Sequence, residues 1–126
     1  MSEFSRTQRV ADQMQREIAL LLQREIKDPR LKLTTVAGVD VTKDLSLAKV
    51  YVTFLDADEK DEISQRIKLL SNAAGFFRSQ LSKAMRLRVV PEIRFYYDES
   101  VKRGSEMDSL IQKALAKDKK SEEPDS

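Results

Sequence analysis

The sequence predicts an α+β domain, with three strands in one mixed sheet and helices packed on a single face. Three observations carry that expectation. Apolar residues recur at helical period over residues 10–26 and 63–87. They alternate with polar residues at strand period over 46–54 and 92–97. The segments run α-β-β-α-kink-α-β-α, so the last strand rejoins the sheet through a helical connection, which allows a parallel pair beside an antiparallel hairpin.

A chain of 126 residues holds one domain with a real core. Its charged fraction of 35% is high but nearly balanced, with a net charge of only +2, so any attraction for anions must come from clustering. Cysteine is absent, which removes disulfides, thiolate nucleophiles and cysteine-based zinc sites. Histidine is absent too, and with it the commonest general base and metal ligand. Glycines at 38, 75 and 104 cannot build a phosphate-cradling loop of the GxxxxGK or GxGxxG type. The longest apolar run, Ile18 to Leu22, is far short of a bilayer span, and the first residues do not read as a secretory signal. A binding protein is expected, without cofactor or metal, and not an enzyme.

The first helix is read from Ser5 as N-cap, with Gln8 three residues on completing a capping box. Val10, Met14, Ile18, Leu21, Leu22 and Ile26 form its apolar stripe. Asp28-Pro29 is read as its stop, because the residue before proline avoids the α region. The opposite face carries Arg6, Arg9, Gln13 and Arg16, but Asp12, Glu17 and Glu25 nearly cancel that charge. Only the first turn, where Arg6 and Arg9 have Glu3 alone nearby, is expected to make a contact.

Leu33 to Thr42, rich in Thr and Val, is read as the first strand, and Gly38 within it suggests a bulge or a close approach. Thr42 to Ser46 reads as a short hairpin connection. In the next strand Ala48, Val50, Val52 and Phe54 alternate with Lys49, Tyr51 and Thr53, so one face is buried and the other polar. Tyr51 on the polar face could stack on a base, although an exposed strand tyrosine is more often simply a good β former. The acids of Asp56 to Glu62 complement the start of the second helix, a better reading than a metal site. Ile63, Ile67, Leu70 and Ala74 continue its apolar stripe.

The stretch 69–95 organises the rest. Small residues Ala73, Ala74 and Gly75 interrupt the helical pattern and permit a bend or a close crossing of backbones. Phe76, Phe77, Leu81, Ala84, Met85 and Leu87 resume an apolar face, and the second helix ends near Arg86. Pro91 opens a strand in which Ile93, Phe95 and Tyr97 share one face and Glu92, Arg94 and Tyr96 the other. Arg78, Lys83, Arg86, Arg88 and Arg94 are five cations against the single acid Glu92, a local excess of four inside a chain of net +2. These five, with Arg6 and Arg9 as a second contact, are the expected RNA-binding set. Ser100 is the expected cap of a last helix bearing Met107, Leu110, Ile111, Ala114 and Leu115. The domain is expected to span 1–116, with 117–126 a disordered charged tail.

Taken together these segments resemble the ribosome-binding factor A family, factors of bacterial small-subunit maturation. The resemblance covers nearly all of residues 5–115. It rests on Arg6-Thr7-Gln8-Arg9-Val10, Asp28-Pro29-Arg30 and the kink Ala73-Ala74-Gly75-Phe76-Phe77-Arg78. Leu87-Arg88-Val89-Val90-Pro91-Glu92-Ile93-Arg94-Phe95, then Asp98, Ser100 and Gly104, complete it. It implies a type II KH-like fold in which an Ala-x-Gly kink stands where KH domains carry a GxxG loop. No two glycines of this chain lie three apart, so the four-nucleotide grip of that loop is not expected. The resemblance also implies a cytoplasmic factor, a monomer without membrane association, that binds 16S rRNA and the free 30S subunit, with ribosomal proteins as further contacts. It implies a role in late 16S rRNA processing and in growth in the cold.

Overall fold

The structure is a computed structural model and describes residues 3–100. Helix α1 spans Glu3–Arg24, followed by a 3₁₀ turn over Pro29–Leu31. Strands β1 (Thr34–Val41) and β2 (Leu47–Phe54) come next, then helices α2 (Lys60–Asn72) and α3 (Ala74–Met85), and strand β3 (Glu92–Tyr97). The expected helix over 107–115 and the tail over 117–126 lie outside the described residues.

The sheet has the order β1-β2-β3, with β1 antiparallel and β3 parallel to β2. It is the mixed three-stranded sheet that the order of segments requires. Strand β2 buries Ala48, Val50, Val52 and Phe54 and leaves Lys49, Tyr51 and Thr53 partly exposed, so helices cover one face only. Met14, Ile18 and Leu22 of α1, Leu70 of α2, and Phe77 and Leu81 of α3 close the core over that face. Phe77 is fully buried, its ring centroid 5.3 Å from that of Phe95 on β3.

Between Val36 and Gly38 the β1–β2 register slips by one residue, the bulge expected there. A Cβ placed on Gly38 would meet nothing within 4 Å, so no close approach accompanies it. In the hairpin, the Asp44 carboxylate accepts from Thr42 Oγ1 at 2.7 Å, from Ser46 Oγ at 2.7 Å and from Ser46 N at 3.1 Å. Those bonds hold the Asp44 carboxyl below its usual range and support Leu45 in a left-handed conformation, φ 59°.

Four local expectations are corrected. Ser5 lies inside α1, which already includes Glu3, so it is not the N-cap; Ser costs little in a helix interior, and Ser-x-x-Gln spacing does not mark the boundary by itself. α1 ends at Arg24, four residues before Asp28, which instead caps the 3₁₀ turn through a bond from Arg30 N to its side chain. On α3 the buried stripe is Phe77, Leu81 and Met85, while Phe76 and Ala84 face solvent. At the end of β3, the described capping contact is made by Asp98, whose carboxylate accepts from Ser100 N at 2.9 Å; Ser100 is the donor.

Arg66 was not anticipated from the sequence as a core residue. Only 6% of it is exposed. Its guanidinium donates from Nη1 and Nη2 to Asp56 at 2.6 and 3.1 Å, and from Nε to Glu62 at 3.0 Å. It also lies 5.5 Å from the centre of the Phe54 ring. A buried cation is tolerated because the two carboxylates answer its donors in a fixed fork. The bonds from Arg66 hold the Asp56 carboxyl below its usual range. A depressed carboxyl adds stability above its unfolded value near pH 4, and that stability is lost as pH falls through the folded value. We therefore expect thermal stability to be flat above about pH 5 and to decline below about pH 4. Arg66→Ala should lower stability by about 1–2 kcal/mol at neutral pH. It should also shrink the acid-side decline, which a melting series from about pH 3 to 7 would measure; an unchanged acid limb would refute the pairing.

Candidate nucleic-acid interface

The sequence places five cations between residues 78 and 94, and the fold distributes them over two surfaces. Strand alternation turns Ile93 and Phe95 inward, so Arg94 points away from the helical layer, onto the open face of the sheet. There it pairs across strands with Lys49 and lies 3.5 Å from Glu92. The Tyr96 hydroxyl and then the Glu92 charge hold its guanidinium above its usual range. Tyr51 and Tyr96 are neighbours on the same face, ring centroids 5.8 Å apart, the contact that cross-strand aromatic pairs make in any sheet.

Arg78, Lys83, Arg86 and Arg88 occupy α3 and the connection that follows it, and all four are exposed. Arg78 is only partly free. Its Nε and Nη2 donate to the Val90 carbonyl at 3.1 and 2.9 Å, tying α3 to the segment that leads into β3. Lys83, Arg86 and Arg88 make no side-chain hydrogen bond or ion pair among the described residues. Arg6 and Arg9 are also exposed, on the early turns of α1, an element that packs against β1 and α3.

Two residues of this corner depart from local preference. Arg86 closes α3 in the left-handed conformation, φ 52° and ψ 34°. For a side-chain-bearing residue this costs about 1–2 kcal/mol, and glycine is the usual occupant. A cation near a helix C-terminus recovers about 0.3–1 kcal/mol of that. Gly75 departs in the opposite sense. The helical break falls not at Gly75 but at Ala73, φ −91° and ψ 3°, whose N–H is shared between Leu69 O at 3.2 Å and Leu70 O at 3.0 Å. Phe77 N then donates to Ala73 O at 3.1 Å and the helix restarts. Gly75 thus sits in the first turn of α3 without positive φ, and a Cβ there would meet nothing within 4 Å. Neither backbone geometry nor packing requires glycine, which costs up to about 1 kcal/mol relative to alanine in a helix.

Beside Gly75 runs an open cleft of about 390 Å³, lined by Gly75, Arg78, Ser79, Ser82, Arg88, Val89 and Val90. It combines two guanidinium groups with two hydroxyls and a valine wall, a donor-rich lining suited to an anion that also has apolar surface. Among the described residues no carboxylate of the 56–62 segment forms an ion pair with these cations, and Asp56 and Glu62 are held by Arg66. Among the described residues no helix is long and apolar enough to cross a membrane.

Comparison with known proteins places this architecture. A family model described as ribosome-binding factor A matches residues 6–111. The ribosome-binding factor A of Stutzerimonas stutzeri is 56% identical over 119 residues, covering 94% of this chain and 92% of that protein. That of Pseudomonas syringae pv. syringae is 53% identical over 116 residues, covering 92% and 84%. Among solved structures, the crystal structure of ribosome-binding factor A from Thermus thermophilus aligns with a TM-score of 0.62 at 30% identity, over 72% of this chain and 94% of that one. A homology model of the T. thermophilus factor, fitted into the cryo-EM map of a 30S complex, aligns with a TM-score of 0.59 at 30% identity, over 71% and 91%.

Proposed function

The chain belongs to the ribosome-binding factor A family, and from that premise we propose that it binds the free 30S subunit through the basic end of α3. In this reading it assists late maturation and processing of 16S rRNA, including during growth in the cold. It acts as a cytoplasmic monomer and as a binding factor, not a catalyst.

The observation that carries the reading is Arg86. It retains a long cation in a backbone conformation that favours glycine, between two further cations, Lys83 and Arg88, that no acid of the described residues neutralises. Strained positions kept against local preference cluster where function requires them. A relative fitted into a 30S complex supports the choice of partner.

The number of cations limits what the surface can do. Each neutralised phosphate adds roughly 0.7–0.9 to the slope of log affinity against log salt, and such contacts alone give generic binding near 10⁻⁴–10⁻⁶ M. Selectivity for one particle must therefore come from shape, as when a rigid helical corner fits a folded RNA surface. Co-sedimentation with free small subunits, large subunits and joined ribosomes across a salt series tests this. The expected result is binding to free small subunits with a log–log slope of about 2 to 4. Equal binding to all three particles, or binding insensitive to salt and to nuclease treatment of the particle, would overturn it in favour of contact with an acidic protein.

A further inference from the structure

We propose that the open face of the sheet stacks an unpaired RNA base on Tyr51 and Tyr96 and holds the adjoining phosphate between Lys49 and Arg94. This rests on RNA as the partner, and it adds a second surface, on the side of the sheet that the helices leave bare.

Strand register sets three residues of this face in a row: Gly38 on β1, Tyr51 on β2 and Tyr96 on β3. Paired tyrosine rings are ordinary in a sheet, but the space beside these is not. A Cβ on Gly38 would meet nothing within 4 Å, so the flank of Tyr51 on that side is open. Gly38 has no positive φ, so the bulge at this point is not the kind that requires glycine. Glycine inside a strand weakens it, and where geometry does not demand it, it marks close approach by a ligand. On the other flank, Tyr96 is 39% exposed.

The next row is Asp40, Lys49 and Arg94. Lys49 stands directly opposite Arg94, and like charges so placed destabilise a sheet. Asp40 is opposite Lys49 without forming an ion pair, and Lys49 makes no side-chain hydrogen bond or ion pair among the described residues. Arg94 lies 3.5 Å from Glu92. An anion seated between Lys49 and Arg94 removes their repulsion. From there to the Tyr51 row is two residues along β2, about 6.7 Å, a step that one nucleotide bridges between phosphate and base. Asp40 and Glu92 offset the two cations, so charge alone would not hold RNA on this face. Stacking must supply the affinity, and bases stack on exposed aromatic rings whatever their sequence. A duplex keeps its bases paired, so the site suits an unpaired strand. A basic peptide could use the tyrosines through cation–π contacts, but it meets Lys49 and Arg94.

The probe is an unstructured RNA strand of about eight nucleotides, titrated into the full chain by itself and after annealing to its complement. Tyr51→Leu and Tyr96→Leu should each weaken single-strand binding about fivefold or more. Duplex binding and the log–log salt slope should not change, since neither ring neutralises a phosphate. Tyr51→Phe and Tyr96→Phe keep the rings and should bind within about twofold of the parent. Lys49→Ala should instead flatten the single-strand slope by about 0.7. Gly38→Val keeps the test independent of folding: valine suits a strand, so Tm should hold or rise. Its side chain fills the open flank, and single-strand binding should fall about threefold or more. Full single-strand affinity in the leucine and valine variants overturns the proposal. So does equal loss for strand and duplex, or no single-strand binding up to about 1 mM. Replacing Lys83, Arg86 and Arg88 by Glu separates the two surfaces. If that variant releases the small subunit while the ring variants bind the strand normally, the sheet face alone fails. If it keeps the subunit while the ring variants lose the strand, the basic corner alone fails. Thr53→Cys, beside Tyr51 in a chain with no other cysteine, can carry a photo-crosslinker into free small subunits. An RNase-sensitive adduct supports the proposal, and an adduct that survives RNase and yields to protease overturns it in favour of a protein partner.

Discussion

Replacing Lys83, Arg86 and Arg88 together by Glu is expected to lower affinity for free small subunits by about a hundredfold or more near physiological salt. Three lost phosphate contacts should also flatten the log–log salt slope by about 2 to 3. Arg78 is deliberately left in place. Its two bonds to Val90 O hold α3 against the segment entering β3, so its reversal would mix a packing loss with a charge loss. Lys83, Arg86 and Arg88 have no such bonds, and surface changes of this kind usually move stability by no more than about 0.5 kcal/mol each. Arg86→Gly provides a sharper arm. Glycine relieves the left-handed strain at φ 52°, so Tm should rise by a few degrees, about 4–8 °C per kcal/mol for a domain of this size. Binding should fall all the same. Undiminished co-sedimentation of the triple variant would remove the basic corner from the site.

Phe77→Ala is expected to cost about 3–5 kcal/mol, the range for deleting a buried aromatic ring. Total stabilities run at about 5–15 kcal/mol, so the variant would lie at the edge of folding. Its ring is fully buried and packs on Phe95, joining α3 to β3 beneath the basic corner. Phe76→Ala, one residue earlier, should cost less than about 1 kcal/mol, because that ring is 38% exposed and touches Phe77 edge-on. Denaturant titration of the two variants would show the contrast as a large and a small shift in midpoint at a common m-value. Equal shifts would mean that α3 is rotated about its axis relative to the sheet.

That pair of phenylalanines shows how far a linear reading reaches. Periodicity marks 76 and 77 alike as apolar, because both lie within reach of one helical stripe. Which of them is buried depends on the rotation of α3, and that follows from where β3 and α1 press against it. The break in the helix was legible as a small-residue run, 73–75, yet its position was not. It falls at Ala73, where one N–H divides between two carbonyls, and Gly75 is left as a regular helical residue with an open flank. Arg66 was hidden because a cation at helical spacing between Ile63 and Leu70 reads as a solvated position. Its i−4 spacing to Glu62 was visible, but the Asp56 partner ten residues away depends on the turn into α2.

Element types and their order, the alternation of β2, the end of α3 near Arg86, and the ordered segments that mark the family are all written in the linear chain. These depend on local periods and backbone preferences, which a neighbour or two along the chain suffice to express. Which of the clustered cations act together is a matter of folding. Strand alternation separates Arg94 from the rest, and the Val90 carbonyl occupies part of Arg78. Lys83, Arg86 and Arg88 are left free of side-chain partners among the described residues at the end of α3, and Arg88 lines the cleft beside Gly75. Those outcomes depend on the chain returning to itself, and on which donors find acceptors when it does.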